Sequence, residues 1–346
     1  MSCCDEDTAI VPSTDVSRRS VLKGAALVTA LVPAAGVKRA GAQAKQVKLA
    51  FCSQILCIVP YEVARAHGHW KNHGLDVELI YARGGNNAMQ ALVGGAVDYA
   101  ATALDVAIQA YVKGAEIRRF ATTGQLPLFA LLTAPNNADA IKSVKDLEGK
   151  TVGVSALGQA DHTLLLYLLK QAGADKDKVQ YATMGVNILE ALRQGQVDAG
   201  FVQEPALTIL TRAGSRTLVN TMILADAQKH LGGTHEFMGV AVRTKEIDQR
   251  RAEMVALAKG LDDALKAMPK MKPEDMVGSL PKELLAGANV GELSEVLRKY
   301  SASLYPDTVT IELESSRRVA DMLKTTGLIK GDADVSGLHD ITIVGG

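Results

Sequence analysis

The chain has 346 residues, of which 47% are hydrophobic and 22% are charged, enough apolar material for one large domain or two smaller ones. Lys plus Arg and Asp plus Glu both number 38, so the formal net charge is +0, and only 4% of the residues are aromatic. A nucleic-acid-binding protein usually shows a basic excess or base-stacking aromatic residues. Nucleic acid is therefore not expected as a partner.

Residues 1–42 have the three parts of an export signal. A basic stretch, "SRRSVLK" from Ser17, precedes an apolar run at 24–37, and small residues follow. The run is too short to span about 30 Å of hydrocarbon. The sequence predicts cleavage near Ala42 or Ala44 and a periplasmic mature protein. The paired arginines resemble the twin-arginine signal pattern; an ordinary Sec signal is the alternative.

The chain has four cysteines, in two pairs. Cys3 and Cys4 precede the arginine pair and would leave with the signal. Cys52 and Cys57 remain, and a disulfide between them is permitted in an oxidising compartment. Two half-buried thiols are the alternative. The cysteine spacing does not match a zinc or iron–sulfur site.

Strands and helices alternate at the start of the mature chain. The pattern predicts strands at Gln46–Ser53 and Leu75–Ala82, with a helix beginning at Pro60 between them, since proline suits the first position of a helix. Asn87 is expected to cap a short helix by accepting backbone N–H bonds.

Two stretches one hundred residues apart resemble each other. "ALVGGAVD" (Ala91–Asp98) is echoed by "ALRQGQVD" (Ala191–Asp198), and Asn187 stands in the second copy where an asparagine stands in the first. Each copy predicts a capped helix that ends in a left-handed turn at Gly95 or Gly195, followed by a strand that Val-Asp opens. Either a duplicated unit or convergence on the same turn chemistry explains the echo.

The second half repeats the alternation. Strands are predicted at Lys150–Ala156 and Lys178–Met184, and between them a helix from Asp161 carries an apolar stripe. The stripe consists of Leu164, Leu165, Leu168 and Leu169. Further strands are predicted at Ile117–Gly124, Leu128–Pro135 and Phe237–Ile247, and the rest of the chain is predicted to be helical.

Such alternation predicts an α/β fold of two lobes, each a mostly parallel sheet flanked by helices. We expect the chain to start in lobe one, cross to lobe two near Gly124 and return near Phe237. Lobe one would then comprise residues 45–124 and 237–346, with the C-terminal helices, and lobe two residues 125–236.

Four stretches together carry a resemblance to a known family. They are "PYEVARAHGHWKNHGLDVELI", "GGNNAMQALVGGAVDYA", "SVKDLEGKTVGVSALGQADHTLL" and "ALRQGQVDAGFVQEPA". In order and spacing they resemble periplasmic substrate-binding proteins of ABC importers, in the nitrate/sulfonate/taurine and thiamine-pyrimidine branch (the SsuA/THI5-like family). The resemblance implies a periplasmic-binding-protein-like (type II) fold that closes on a small molecule and presents it to a membrane permease.

The same resemblance implies a monomer that is not an enzyme and carries no cofactor or metal. The alternative is an exported or THI5-like enzyme of pyrimidine or cofactor metabolism on the same fold. Nucleophile elbows, phosphate loops and dinucleotide fingerprints do not appear in the sequence.

The ligand is expected in the cleft between the lobes, beyond the carboxyl ends of the strands, where helix N-termini present backbone N–H groups. The residues expected to contact it are Ser53, Gln54, Ile55, Asn86, Thr102, Thr123, Gln159, Ala160, Asp161, His162, Gly185, Asn187 and Glu204.

Several of these residues also have a plain structural interpretation. Asp161 and Glu204 could each cap a helix, which is worth about 1 kcal/mol. His162 could be a solvated first-turn residue, and the hydroxyls of Thr102 and Thr123 could bond backbone. If both carboxylates face the cleft, a sulfonate ligand becomes harder to accept.

A histidine-rich stretch, "HGHWKNH", holds His67, His69 and His73. His69 and His73 could share a helix face, an arrangement that can bind a metal. Gly68 is expected to break the helix, and a polar helix end is the better interpretation. Trp70 is then expected to be a packing residue.

Overall fold

A computed structural model describes residues 44–52, 55–285 and 289–344. The predicted export signal, residues 1–42, therefore lies outside the described residues. Within the described part, every helix is too short or too polar to cross a bilayer.

The strands are, in chain order, β1 (Lys45–Cys52), β2 (Leu75–Ala82), β3 (Tyr99–Ala103), β4 (Ile117–Thr122), β5 (Ala130–Thr133), β6 (Thr151–Val154), β7 (Gln180–Thr183), β8 (Ala199–Val202), β9 (Thr217–Asn220) and β10 (Met238–Arg243). The α-helices are α1 (Ile55–Ala66), α2 (His69–Asn72), α3 (Gly85–Val93), α4 (Leu104–Val112), α5 (Ala160–Gln171), α6 (Ile188–Arg193), α7 (Ala206–Arg212), α8 (Leu224–Leu231), α9 (Ile247–Ala267), α10 (Pro273–Gly278), α11 (Val290–Leu304) and α12 (Leu313–Thr326).

These strands form two sheets of the same design. Sheet one has the order β2-β1-β3-β10-β4 and sheet two the order β7-β6-β8-β5-β9. In sheet one β1 runs parallel to β2 and β3, whereas β10 is antiparallel to both neighbours. In sheet two β6 runs parallel to β7 and β8, whereas β5 is antiparallel to both neighbours. The predicted fold of two mostly parallel sheets flanked by helices is confirmed.

The order of the strands shows where the chain changes sheet. It leaves sheet one after β4, enters sheet two with the antiparallel strand β5, and returns to sheet one with the antiparallel strand β10. We call sheet one with α1–α4 lobe one, and sheet two with α5–α8 lobe two. Near the C-terminus, α12 packs against both α5 and α4, so it touches both lobes.

A buried ion pair stabilises the return crossing. Nη2 of Arg119, on β4, lies 2.8 Å from Oε1 of Glu236, and both side chains are almost fully buried. Ser316 and His339 also contact this carboxylate. Burial alone would raise the pKa of Glu236, but Arg119 and these neighbours hold it at about 2.

The apolar stripe predicted for lobe two lies in its core. Leu164, Leu165, Leu168 and Leu169 of α5 are each at most 2% exposed. The period of the leucines therefore predicted correctly which face of the helix is buried.

The prediction that a helix begins at Pro60 is wrong, because α1 begins at Ile55 and contains Pro60. Proline has no N–H to give to the carbonyl four residues earlier. That carbonyl belongs to Leu56, and it accepts a 2.8 Å bond from the hydroxyl of Tyr305 instead. A distant tyrosine thus satisfies the acceptor that a proline inside a helix leaves open.

The predicted asparagine caps are also wrong in detail. Asn87 lies inside α3, where its Nδ2 donates to the carbonyl of Arg83 at 2.8 Å. The helix starts earlier because Gly84 adopts φ 90°, which glycine reaches without strain. Asn187 does precede α6, but its side chain makes no capping bond.

Candidate functional site

The two lobes meet where the carboxyl ends of their parallel strands lie. Nε2 of Gln109, on α4, donates to the carbonyl of Gly158 at 3.0 Å. Oγ1 of Thr163, on α5, donates to Oδ2 of Asp105 at 3.2 Å. We call this line of contacts the seam; it is the place where open α/β sheets bind ligands.

The start of α3 forms the lobe-one side of the seam. Gly84 and Gly85 follow β2, and a methyl group on Gly84 would lie 3.3 Å from Nε2 of Gln159 in lobe two. The first turn of α3 contains no acidic residue, and no described side chain caps it. The first N–H groups of α3 therefore lack a side-chain acceptor among the described residues, and the half-buried Asn86 belongs to the same turn.

Thr102 is the last residue but one of β3, the central strand of sheet one, and lies close to this helix start. Its side chain is fully buried, and its Cβ lies 3.8 Å from the position that a Cβ on Gly85 would take. Its hydroxyl oxygen makes no hydrogen bond in the described structure. A buried hydroxyl without a partner costs roughly 1–3 kcal/mol, so this group stands out as a donor for a ligand.

Asp161, which we expected to contact the ligand, is engaged by its own loop. Its carboxylate accepts from the backbone N–H of Ser155 at 2.5 Å and from the hydroxyl of Ser155 at 2.7 Å. Burial raises its pKa, and these hydrogen bonds oppose the rise. The side chain thus holds the β6–α5 loop in shape and has little capacity left for a ligand.

Glu204 is likewise engaged locally. Its carboxylate accepts from the backbone N–H of Thr208 and from the hydroxyl of Thr208, both at 3.0 Å. This is the capping role that the sequence had left open. Both carboxylates accept hydrogen bonds within lobe two, so neither has to face the cleft and repel an anionic ligand such as a sulfonate.

Asp105 belongs to the seam, although the sequence analysis missed it. It lies in the first turn of α4, 3% exposed, and accepts from Thr163 of the opposite lobe. Burial raises its pKa to about 7, and the neighbouring Asp161 adds to the rise. The available signal was one acid inside the apolar run "YAATALDVAI".

The remaining predicted residues fall into different surroundings. Thr123 is buried, with its Oγ1 2.7 Å from the hydroxyl of Tyr61. Ile55 begins α1 and packs against the core. Ser53 and Gln54 lie outside the described residues.

In lobe two, the start of α5 and the end of β7 carry the rest. Ala160 is buried in the first turn of α5. Nδ1 of His162 accepts from the N–H of Gly158 at 3.2 Å, and burial lowers the pKa of this imidazole. Gly185 and Asn187 follow β7 and are exposed. Of the predicted residues, Thr102 and Gln159 both lie within 4 Å of the position that a Cβ on Gly85 would take, and Asn86 follows Gly85 in sequence.

Arg83 lies next to the start of α3 in sequence. Arg83 is exposed, and it forms no ion pair with any acid in the described part of the chain. A helix N-terminus and a guanidinium both favour negative charge.

The histidine-rich stretch packs against neighbouring helices. Nε2 of His73 lies 2.7 Å from Oδ2 of Asp263, and Nε2 of His67 lies 3.1 Å from Oγ of Ser279. Trp70 is 2% exposed and donates to the carbonyl of Leu257, as expected of a packing residue. The described residues contain no group of three or more His, Cys, Asp or Glu side chains that could hold a metal ion.

Two surface cavities lie away from the seam. One of about 740 Å³ lies between the end of α4 and residues 328–334. The other, of about 560 Å³, lies between β2 and the turn that follows α10. Neither cavity is lined by a predicted site residue. The seam is the better candidate for a ligand site, because residues of both lobes meet there and some of its hydrogen-bond donors have no partner.

Solved structures place this architecture in a known fold. A Bordetella bronchiseptica protein is 23% identical, with a TM-score of 0.77 over 86% of this chain and 95% of that one. The periplasmic aliphatic sulphonate-binding protein SsuA from Escherichia coli is 20% identical, with a TM-score of 0.64 over 83% and 94%. The periplasmic nitrate-binding protein NrtA from Synechocystis is 12% identical, with a TM-score of 0.70 over 87% of each chain. The chain thus has the periplasmic-binding-protein fold.

The family follows from the sequence itself. The model of the NMT1/THI5-like family matches residues 57–270, which is more than half of the chain, and the chain belongs to that family. A search of curated protein sequences found no match.

Proposed function

We propose that this protein is the extracytoplasmic solute-binding component of an ABC importer. It captures a small organic molecule or anion when its two lobes close, and it delivers the ligand to a membrane permease. The family and the fold of the periplasmic sulfonate- and nitrate-binding proteins support this role. Residues 45–124 with 237–346 would move as one lobe and 125–236 as the other, with α12 in contact with both.

The unsatisfied donors at the seam are the observation that carries the proposal. The N–H groups at the start of α3, the buried Thr102 hydroxyl and the amide of Gln159 come from both lobes and converge on one place. A ligand that accepts from all of them touches both lobes and so stabilises the closed form over an open one. Together with Arg83, these donors favour a ligand with an acceptor-rich or anionic group.

The place of action follows from the same role. The chain would be exported by the signal at 1–42, by the twin-arginine route, and released near Ala42 or Ala44 as a monomeric periplasmic protein. Its partners would be the small ligand and the permease, without nucleic acid, metal or cofactor.

A thermal-shift panel tests the proposal. Nitrate, alkanesulfonates, pyrimidines and amino acids are added singly, and a true ligand at 100 times its dissociation constant adds about 2.7 kcal/mol of stability. Gln159→Ala should weaken that ligand about tenfold or more, whereas Gln171→Ala, at the exposed far end of the same helix, should leave its affinity unchanged. Equal effects of the two variants would argue against binding at the seam.

Scattering and turnover separate binding from the enzyme alternative. The radius of gyration should fall when the ligand is added, because closure brings the lobes together. Chemical change of the ligand by pure protein would favour the enzyme. An unchanged envelope with a tightly bound ligand would contradict capture by closure.

A further inference from the structure

Two buried cysteines lie beside each other where β1 passes into α1. Cys52 ends the strand and is 6% exposed; Cys57 lies in the first turn of the helix and is 3% exposed. Both are thiols in the structure.

The two side chains are in direct contact. The Cys57 thiol is in hydrogen-bond contact with Cys52, and burial, followed by this contact, raises the pKa of Cys57 well above its usual value. Burial raises the pKa of the Tyr61 and Tyr305 phenols, and Cys57 lies close enough to add to both rises. The pair is therefore enclosed in the core of lobe one.

We propose that Cys52 and Cys57 are a modification site at which an intramolecular disulfide forms. The sulfurs are already neighbours, and a disulfide needs them at about 2.05 Å, with Cα atoms about 4.4–6.8 Å apart. The proposal rests on this contact and is independent of which solute the protein binds.

The reaction needs an external disulfide, such as oxidised glutathione. The Cys52 thiolate, on the slightly more exposed side chain, attacks one sulfur of the donor and releases the first thiol. The sulfur of Cys57, after losing its proton, then attacks the mixed disulfide at Cys52 and releases the second thiol. The net change oxidises two cysteine thiols to one disulfide and reduces one donor disulfide to two thiols.

Burial determines when the bond forms and how long it lasts. Because the thiolate form of Cys57 is scarce in the folded protein, oxidation should be slow there and faster while the chain is folding. Once formed, the disulfide is shielded from reductants by the same burial. It would close a small ring containing Ser53 and Gln54, two of the residues predicted to contact the ligand.

Peptide mapping of the unmodified full chain tests the proposal. Trypsin releases both cysteines in one peptide, "LAFCSQILCIVPYEVAR" (Leu49–Arg65), while Cys3 and Cys4 fall in another. After refolding with oxidised glutathione, the protein is denatured, alkylated and digested. The expected peptide is lighter than the reduced one by two hydrogen atoms and takes up an alkyl group only after reduction. A peptide alkylated at both cysteines, or linked to glutathione or to the Cys3–Cys4 peptide, would overturn the proposal.

A melting comparison supplies the control. The oxidised protein should melt about 2 to 4 °C above the reduced protein, since the ring is short. The double variant Cys52→Ala/Cys57→Ala should melt at the same temperature with and without reductant. If reductant changed the melting temperature of the variant and of the parent chain equally, the change would not come from a Cys52–Cys57 disulfide. Should the variant not fold, the peptide map of the parent chain decides alone.

Discussion

Lobe one and lobe two use the same glycine turn to connect a helix to the next strand, but they differ in the residues that follow. The turns at the ends of Ala91–Asp98 and Ala191–Asp198 match closely. Gly95 has φ 80° and Gly195 has φ 66°, so the predicted left-handed turns are confirmed. Only glycine adopts this conformation without strain, which explains its presence in both copies.

The aspartate that closes each copy also has the same task. Oδ2 of Asp98 accepts from the backbone N–H of Lys48, and Oδ2 of Asp198 accepts from that of Thr151, both at 2.8 Å. Each carboxylate thus ties the start of its strand to the neighbouring parallel strand. The similar stretches in the sequence therefore correspond to the same glycine turn and the same aspartate–backbone bond, whether they arose by duplication or by convergence.

The lobes differ in what stands at their binding edges. In lobe one, Thr102 is the last residue but one of the central strand; one hundred residues later, Val202 ends its counterpart, and both are buried. Lobe one also offers an uncapped start of α3, whereas the acids of lobe two, Asp161 and Glu204, are satisfied by their own loops. The comparison teaches that shared turns set up two similar lobes, while the uncapped helix start and the buried hydroxyl without a partner lie in lobe one.

Removing the aspartate ties is the strongest test of whether the two lobes are equivalent. Asp98→Ala and Asp198→Ala should each cost about 2 kcal/mol of unfolding free energy, because each leaves a strand amide without its charged acceptor. Urea unfolding measures this. A loss below about 0.5 kcal/mol in one lobe alone would show that the two ties are not equivalent.

Asparagine at the same two positions should tell the lobes apart. The second oxygen of Asp198 accepts from Nδ2 of Asn137 at 3.0 Å, and Asn137 can rotate its amide, so Asp198→Asn should recover most of the loss. The second oxygen of Asp98 lies 2.6 Å from Nη2 of Arg250. An amide N–H cannot replace it there, so Asp98→Asn should recover less.

The acid at the seam has no acidic counterpart in lobe two, where position 205 is a proline, and pH should expose this difference. Burial raises the pKa of Asp105 to about 7, above the unfolded value of about 3.9. The folded state therefore binds the proton more tightly. Its stabilising contribution is full below about pH 4 and is lost as the pH rises through about 7.

Asp105→Asn should remove that part of the pH profile. Relative to the variant, the parent chain should lose about 4 kcal/mol of unfolding free energy between pH 4 and pH 8. The buried amide adds a cost that does not change with pH, so the slope is compared and not the absolute value. Parallel profiles for the two proteins would contradict a raised pKa at the seam.

The sequence was informative about elements that short-range chemistry dictates. The strand Leu75–Ala82 was predicted with its observed bounds, and the leucine stripe of α5 was assigned to the correct face. Both depend on a residue period and on nearby turn residues. The prediction of a helix start at Pro60 was wrong for a long-range reason. The Leu56 carbonyl, which loses its helical donor at Pro60, accepts from the hydroxyl of Tyr305, nearly 250 positions along the chain.

The candidate site was less accessible to sequence reasoning. Thr102 and Gln159 were predicted to contact the ligand, and both lie beside Gly85 at the start of α3. Whether an acid such as Asp161 faces a ligand or its own loop depends on hydrogen bonds that the residue order does not reveal. The Asp105–Thr163 contact joins two lobes, so only the packed fold exposes it.

Thr102→Val gives lobe one the residue that lobe two has at the corresponding position, Val202, and tests the role of the hydroxyl. Valine keeps the volume of the side chain and removes an oxygen that is buried without a partner. We therefore expect a gain of about 1 kcal/mol in unfolding free energy, together with weaker binding of any ligand found in the thermal-shift panel.

The serine variant is the matched control for this gain, since Thr102→Ser keeps the hydroxyl and deletes a methyl group from a buried position. It should lose about 1 kcal/mol of stability while keeping most of the ligand affinity. A stabilised valine variant that binds as well as the parent chain would mean that the hydroxyl is no part of the site. A destabilised one would mean that Thr102 has a partner in the folded protein, because removing a satisfied hydroxyl costs stability and removing an unsatisfied one returns it.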